Sequence, residues 1–401
     1  MESARLREIA RLFTRLGFTA FGGPAAHLAL MEDEVVNRRQ WLDRQHFLDL
    51  ASAVNFIPGP NSTEVAIHLG LIRGGRIGLV VAGACFIIPA MLIILPLGWL
   101  YARYGETPQA QPALGAISAA VIAIIAAAVW RFARTSVTHV FTATVAGVAL
   151  ALAVLLRNER RFPPELLILA LAAMAGALRA MWMSEWRPAR SLLIAPTAAA
   201  VSFTIPAFPA LATVGSMFLF FLRVGATLFG SGYVLYSYLH NGLVEQRGWL
   251  TTHQLADAVA VGQVTPGPLL TTATFIGYFL GDRVFGYGIW GGIGCGVLAT
   301  IGIFLPSFLF VLLLAPVLDR MRRNPIARGA LDAMNAAVVS LILVVAVQLA
   351  IPVLYNAAAH RVQSLHVIIA AASLVLLLRT KLNATWLILG AGSIGWLAAT
   401  L

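Results

Sequence analysis

Apolar stretches follow one another along most of the 401 residues, separated by short polar gaps. Thirteen can be drawn, at 12–36, 47–70, 77–101, 112–130, 137–156, 163–182, 191–211, 213–240, 252–280, 286–318, 329–354, 365–379 and 382–401. A helix needs about 20 mainly apolar residues to cross a bilayer. The pattern predicts an all-α polytopic membrane protein of about 13 transmembrane segments. Two of its longest runs are interrupted. Gly22, Gly23 and Pro24 stand inside the first, and Pro58, Gly59 and Pro60 inside the second. Proline removes an amide donor and clashes with the turn before it, so a helix stops there. Irregular backbone survives at membrane depth only when buried in protein or lining a wet cavity.

The interruptions recur. Laying Phe13–Pro60 over Phe221–Pro268, 208 residues on and without gaps, gives 14 identities in 48 positions. They include Arg15/Arg223, Gly17/Gly225, Gly22/Gly230, Arg39/Arg247, Trp41/Trp249, Asp49/Asp257 and the whole Pro-Gly-Pro, repeated as Pro266, Gly267 and Pro268. Shared apolar residues follow from membrane composition; shared Arg, Trp, Asp and Pro-Gly-Pro do not. The chain reads as two homologous halves, 1–185 and 212–401, joined by 186–211. Internal repeats with broken helices mark transporters, whose binding site lies between the repeats.

Composition agrees: 59% of residues are hydrophobic and 11% charged, against about a quarter charged in soluble domains. The basic start, with Arg5, Arg7 and Arg11, lacks the pattern of a cleavable signal. The net charge is +11, and all but one of the 28 basic residues are arginine. Basic loops face the cytoplasm. With a cytoplasmic N-terminus, 13 crossings, and Arg15 and Arg223 set aside within the membrane, 17 basic residues fall inside and 9 outside. Making both Pro-Gly-Pro segments re-entrant lowers the split to 13 and 13, or to 10 and 16 if the joining segment does not cross. The 13-crossing arrangement is expected, with a joining helix at 191–211 that inverts the second half.

A helix restarting after Pro60 offers free N–H groups and the positive end of its dipole, which suits an anion. Asn61 and Glu64 fit an N-cap and its partner, with Ser62 and Thr63 between them. In the second half Thr271 and Thr272 open the new helix, and Asn55 and Gln263 are amides at matching positions before the breaks. Gly230, Ser231 and Gly232 repeat the first interruption. These residues, with Arg15 and Arg223 to offset charge, form the expected substrate site. Glu64, His27, His68 and His240 are candidate proton carriers. Asp49 and Asp257 are placed to pair with Arg39 or Arg247. Gly288, Gly292 and Gly296 read as a packing face, and Cys85 and Cys295 as small packing residues. No HExxH, GxSxG or metal-ligand cluster is present, and the Gly294–Ala299 run follows no strand, so enzyme, metal and dinucleotide readings fall away.

The stretches LGFTAFGGPAAHLALMEDEVV with RRQWLD, NFIPGPNSTEVAIHLG, VGATLFGSGYVLYSYLHNGLV with RGWLT, and GQVTPGPLLTTATFIGYFLG together resemble the chromate ion transporter family in its long, two-domain form. The resemblance covers both halves, most closely 10–90 and 218–310. It implies a multi-pass bacterial inner-membrane protein, built of paired domains of opposite orientation, that exports chromate and confers resistance. It carries the family's motif onto Gly22, Gly23, Pro24, Pro58, Gly59, Pro60, Pro266, Gly267 and Pro268. Ser231-Gly232 departs from Gly23-Pro24, so the halves need not bind substrate equivalently. The expected cargo is chromate or a sulfate-like oxyanion, driven by membrane potential or a proton gradient. The alternative is another small solute, such as an organic acid or amino acid. No cofactor and no nucleic-acid partner are expected; the lipid bilayer surrounds the protein, and a homodimer stays open.

Overall fold

The computed structural model describes residues 2–21, 23–156, 164–183, 213–229, 232–356, 361–380 and 382–400. Gly22, Gly230, Ser231 and the joining segment 186–211 with its expected inverting helix lie outside the described residues. Among the described residues fifteen helices run in order. The first part holds α1 (Glu2–Thr19), α2 (Gly23–Glu32), α3 (Arg44–Ala53), α4 (Asn61–Tyr104), α5 (Gln111–Ser136), α6 (Val140–Leu155) and α7 (Pro164–Met183). The second holds α8 (Val214–Thr227), α9 (Leu235–Leu239), α10 (Thr252–Val264), α11 (Thr272–Phe279), α12 (Gly288–Arg323), α13 (Pro325–Leu354), α14 (Ser364–Arg379) and α15 (Ala384–Thr400). The described residues otherwise form turns, short 3-10 and π segments, and a two-residue antiparallel ladder, Tyr355–Asn356 with Arg361–Val362.

The repeat extends to unusual backbone. π-helical turns close α2 (Asp33–Arg38) and α9 (His240–Glu245) at matching positions. After each Pro-Gly-Pro the chain runs a short helix and then turns at glycine. α4 is not one rod, because Gly74 and Gly75 leave helical geometry. There the chain reverses, so that Gly70 lies against Gly78 and Ala82. The limbs are 61–73 and 76–104. In the second half α11 and its π turn (Leu280–Val284) fold back onto α12, with Gly277 and Gly281 against Cys295. Gly292 and Gly296 meet Tyr278, as a packing face should, whereas Gly288 sits at the turn with nothing within 4 Å of a Cβ there.

Among the described residues five helices are long and apolar enough to cross a membrane: α4, α5, α7, α12 and α13. The expected 13 crossings are not what the first segments make. Glu8, near the start of α1, accepts hydrogen bonds from Trp41 at 3.0 Å, from Arg39 at 3.4 Å and from Arg73 at 2.9 Å. The beginning of α1, the end of α2 and the end of the first α4 limb therefore share one level. Segments 12–36 and 47–70 are helical hairpins that return to the level they left, with the two interruptions at their tips. Hydropathy measures the length of an apolar run and not its direction, so each hairpin reads as a crossing.

The other end of the long α4 limb meets the second half. Tyr101 donates to Asp257 at 2.7 Å, and Gln254 lies 3.5 Å from Glu106. The base of the α10 hairpin thus sits at the opposite end of that limb from Glu8, Trp41 and Arg73. Beyond the hairpins the halves interlock: α5 packs on α14 and α15, α13 packs on α6 and α7, and α5 and α13 pack on each other. The largest core cluster draws Ile125, Val224, Tyr236, Phe275 and Leu341 from both halves.

Candidate substrate site

The four hairpin tips come together through two backbone hydrogen bonds. The Gly59 amide donates to the Leu228 carbonyl at 2.7 Å, and the Gly267 amide to the Ala20 carbonyl at 2.9 Å. Residues 59 and 267 are repeat partners, and so are 20 and 228. Each Pro-Gly-Pro therefore closes onto the first interruption of the other half. Both glycines adopt positive φ, +142° and +87°, which side chains resist. A Cβ on Gly59 would overlap the Glu64 carboxyl and the Ser307 hydroxyl, and one on Gly267 would stand 2.6 Å from Ala90 Cβ. Gly59 and Gly267 were expected in the substrate site, and their amides hold the two halves together.

What stays open is the first turn of α4. Pro60 is its N-cap and supplies no side-chain acceptor. Asn61, expected there, is the first helical residue, and its side chain donates to Asn55 Oδ1. The amides of Thr63 and Glu64 both use the Pro60 carbonyl, which leaves those of Asn61 and Ser62 facing outward from the helix end. Ser62 Oγ lies 3.2 Å from His27 Nδ1, and His27 Nε2 donates to the Ala20 carbonyl at 3.0 Å. A neutral imidazole serves both contacts, and Ala20 O receives His27 and Gly267 together. Thr63 and Glu64 are fully buried. Thr63 Oγ1 has no hydrogen-bond partner, and Ser307 Oγ is the group that faces the Glu64 carboxyl beside Gly59. Buried polar atoms are almost always paired, and this cluster gathers them beside one helix start.

The second half is less polar at the matching point. Leu269, Leu270, Thr271 and Thr272 replace Asn61, Ser62, Thr63 and Glu64. Pro268 caps a 3-10 turn, Leu269–Thr271, before α11 begins. The Thr271 and Thr272 hydroxyls bond back to the Pro268 and Leu269 carbonyls at 2.6 and 2.9 Å, contrary to the expectation that they face a ligand. Gln263 donates to Tyr236 Oη at 2.9 Å. Gly23, at φ +79°, and Pro24 open α2, and Gly232 opens the 3-10 turn before α9.

The charged residues lie farther down the hairpins. Arg15 bonds Glu34 at 2.5 Å, and Arg38 and Arg39 share that carboxylate. The expected Asp–Arg pairs do not form: Asp49 accepts from Gln45, Asp257 from Tyr101 and Ser118, and Arg247 donates to the Gly242 carbonyl and stacks on Phe220 and Trp249. Their sequence spacing matched, but the π turn aims each arginine back along its own hairpin. His68 lies one helical turn beyond Glu64, while His240 lies at the base of the second hairpin, 3.9 Å from Glu245. Ser307, Glu34 and Glu165 escaped the sequence reading. Ser307 follows Pro306 in an otherwise apolar run, the one visible signal among the three. Among the described residues no cluster of His, Cys, Asp and Glu could hold a metal ion.

Comparison with known proteins matches the chromate transporter family over residues 7–177 and again over 215–396. A chromate transport protein of Pseudomonas aeruginosa is 34% identical, with 96% of this chain and 90% of that protein aligned. One from Cupriavidus metallidurans is 30% identical over 84% of this chain and 80% of its own length. A probable chromate transport protein of Synechococcus elongatus is 30% identical over 80% and 78%. No solved structure matches. Two matched segments, tips that meet in pairs and the apolar helices around them lead to one conclusion: this chain is a multi-pass membrane transporter, not an enzyme, and belongs to the chromate transporter family in its long, two-repeat form.

Proposed function

We propose that the protein exports chromate, and sulfate-like oxyanions with it, from the cytoplasm across a bacterial inner membrane. The supporting observation is the pairing of Gly59 with Leu228 and of Gly267 with Ala20, which gathers all four interruptions at the repeat boundary, where transporters of this architecture bind their cargo. The oxyanion accepts from the Asn61 and Ser62 amides and the Thr63 and Ser307 hydroxyls, with Asn55, Gln263 and Arg223 near its path. The repeats are residues 1–185 and 212–401, inverted with respect to each other, and 186–211 crosses to invert the second.

The hairpins sharpen the orientation. With four segments doubling back, nine crossings remain. A cytoplasmic N-terminus then places 19 basic residues inside and seven outside (Arg103, Arg157, Arg160, Arg161, Arg247, Arg283 and Arg361), again leaving aside Arg15 and Arg223. This split is stronger than the 17 to 9 of 13 crossings, as the positive-inside rule favours. The potential favours export: about 2.3 kcal/mol per charge per 100 mV gives a dianion about 4.6 kcal/mol, roughly a thousand-fold gradient or more. Glu64 can carry a proton with the dianion: ionised, it repels the cargo, and protonated, it donates to it. A proton exported together with the dianion leaves one net negative charge, on which the potential contributes about 2.3 kcal/mol per 100 mV.

Everted vesicles test this reading. Radiolabelled chromate should enter under an imposed potential, positive inside, and sulfate should compete where amino acids do not. A proton gradient, acid outside the vesicle, should add to the rate in wild type and not in Glu64→Gln. Uptake indifferent to potential, or competed by an amino acid, would contradict it.

A further inference from the structure

Far from the hairpin tips, the start of α6, the end of α7 and the start of α13 enclose a cavity of about 280 Å³. That is close to the lower limit of small-ligand sites, about 300 Å³. α7 and α13 cross beside it, where a Cβ on Gly176 would stand 2.1 Å from the Gly329 carbonyl oxygen. Both glycines line the cavity, so no side chain fills it at the crossing. Two arginines do line it: Arg179, one turn before the end of α7, and Arg328, in the first turn of α13. The Arg179 guanidinium lies over the Phe141 ring, 4.4 Å from its centroid. Arg328 is exposed, and a cation in the first turn opposes the helix dipole. Among the described residues neither arginine joins an ion pair within 4 Å, although Asp332 lines the same cavity.

The cavity lies at the depth of lipid headgroups. Trp182, 91% exposed, is three residues beyond Arg179. Trp130, exposed near the end of α5, holds Arg134 at 5.9 Å from its ring, and the next helix starts at the cavity. Exposed tryptophans at the ends of spanning helices mark the bilayer interface. We propose that this cavity binds the phosphate headgroup of an anionic membrane lipid, with Arg179 and Arg328 as its two cationic ligands. The planar fork of arginine matches phosphate oxygens, and the Phe141 ring holds one fork in place without cancelling its charge. Two arginines and Asp332 leave one net positive charge. That balances a singly charged phosphodiester and suits it better than a free dianion. Basic pockets between spanning helices on the cytoplasmic side take such headgroups, and the orientation proposed above puts this one on that side. A bound lipid would bridge α7 of the first repeat and α13 of the second, and so brace the frame that the hairpins move against.

The test uses the full-length protein in a neutral detergent, supplied with phosphatidylglycerol or phosphatidylcholine. Native mass spectrometry reads the lipid retained, and melting reads its effect on stability. Wild type should retain phosphatidylglycerol over phosphatidylcholine and melt higher with it. Joint Arg179→Gln and Arg328→Gln substitution should weaken that retention about ten-fold or more. Arg134→Gln, outside the cavity, should leave it unchanged. Asp332→Asn should strengthen it, which a misfolded protein cannot imitate. Equal retention of the two lipids, or equal phosphatidylglycerol retention in wild type and the double variant, would overturn the proposal. Displacement of phosphatidylglycerol by millimolar inorganic phosphate would make the cavity a site for a free anion and overturn the lipid. None of these outcomes depends on the cargo or on the direction of insertion.

Discussion

Glu64 is the residue whose surroundings carry the most consequence. Its carboxyl is fully buried between Gly59 and Ser307, with the Ser307 hydroxyl as its polar neighbour. Glu64→Gln keeps the shape and a donor but cannot release a proton. It should therefore bind chromate and lose the contribution of a pH gradient to vesicle uptake, whereas Glu64→Ala should lose binding as well. Glu8 lies outside the spanning segments and gives a cleaner titration. Burial raises its carboxyl pKa, but the hydrogen bonds from Arg73, Trp41 and Arg39 and the Arg73 charge outweigh this, so the net shift is below the usual carboxylate value. A depressed pKa contributes stability that is complete above the unfolded value and lost as pH falls through the folded one. Melting compared between wild type and Glu8→Gln should show a gap at neutral pH that closes below about pH 4. A gap that widens in acid would mean that the carboxylate is not the stabilising form.

At the scale of elements, the breaks and the repeat were legible because proline and glycine act locally. Pro58 and Pro60 stop a helix whatever surrounds them, and the identity of Arg, Trp and Pro-Gly-Pro across 208 residues needs no structure to notice. What happens beyond a break was not legible. Whether α1 and α2 run on or double back depends on Glu8 finding Trp41 and Arg73, contacts 33 and 65 residues apart. The shared Gly17 and Gly225 did carry a message about packing: a Cβ on Gly17 would come 2.8 Å from the Phe86 carbonyl oxygen, and one on Gly225 would overlap the Ile303 backbone. Each glycine lets the first hairpin helix lie against the long helix of its own repeat. Gly225→Leu should cost about 1–3 kcal/mol, as overpacking does, seen as a lower melting temperature in detergent. Gly215→Leu, with nothing within 4 Å of its Cβ, should leave melting unchanged. Equal effects at the two positions would argue against close packing at Gly225.

For the whole molecule, the proposed function makes the interlocked helices the frame and the hairpin tips the moving parts. Two hairpin bases at opposite ends of the α4 limb, with tips joined through Gly59–Leu228 and Gly267–Ala20, would form a pair of gates around one site. Opening either gate means parting Gly59 from Leu228 or Gly267 from Ala20. Single cysteines distinguish this arrangement from simple crossings. With a cytoplasmic N-terminus, Arg44→Cys should label only from inside and Thr251→Cys only from outside; 13 crossings demand the reverse at both. The central claim is that an oxyanion sits where the four breaks meet. A density map of the protein with chromate bound tests it most directly. The account predicts a tetrahedral feature within hydrogen-bonding distance of the Asn61 and Ser62 amides, beside Glu64 and Ser307. Chromate bound elsewhere, with the tips still closed on each other, would contradict it.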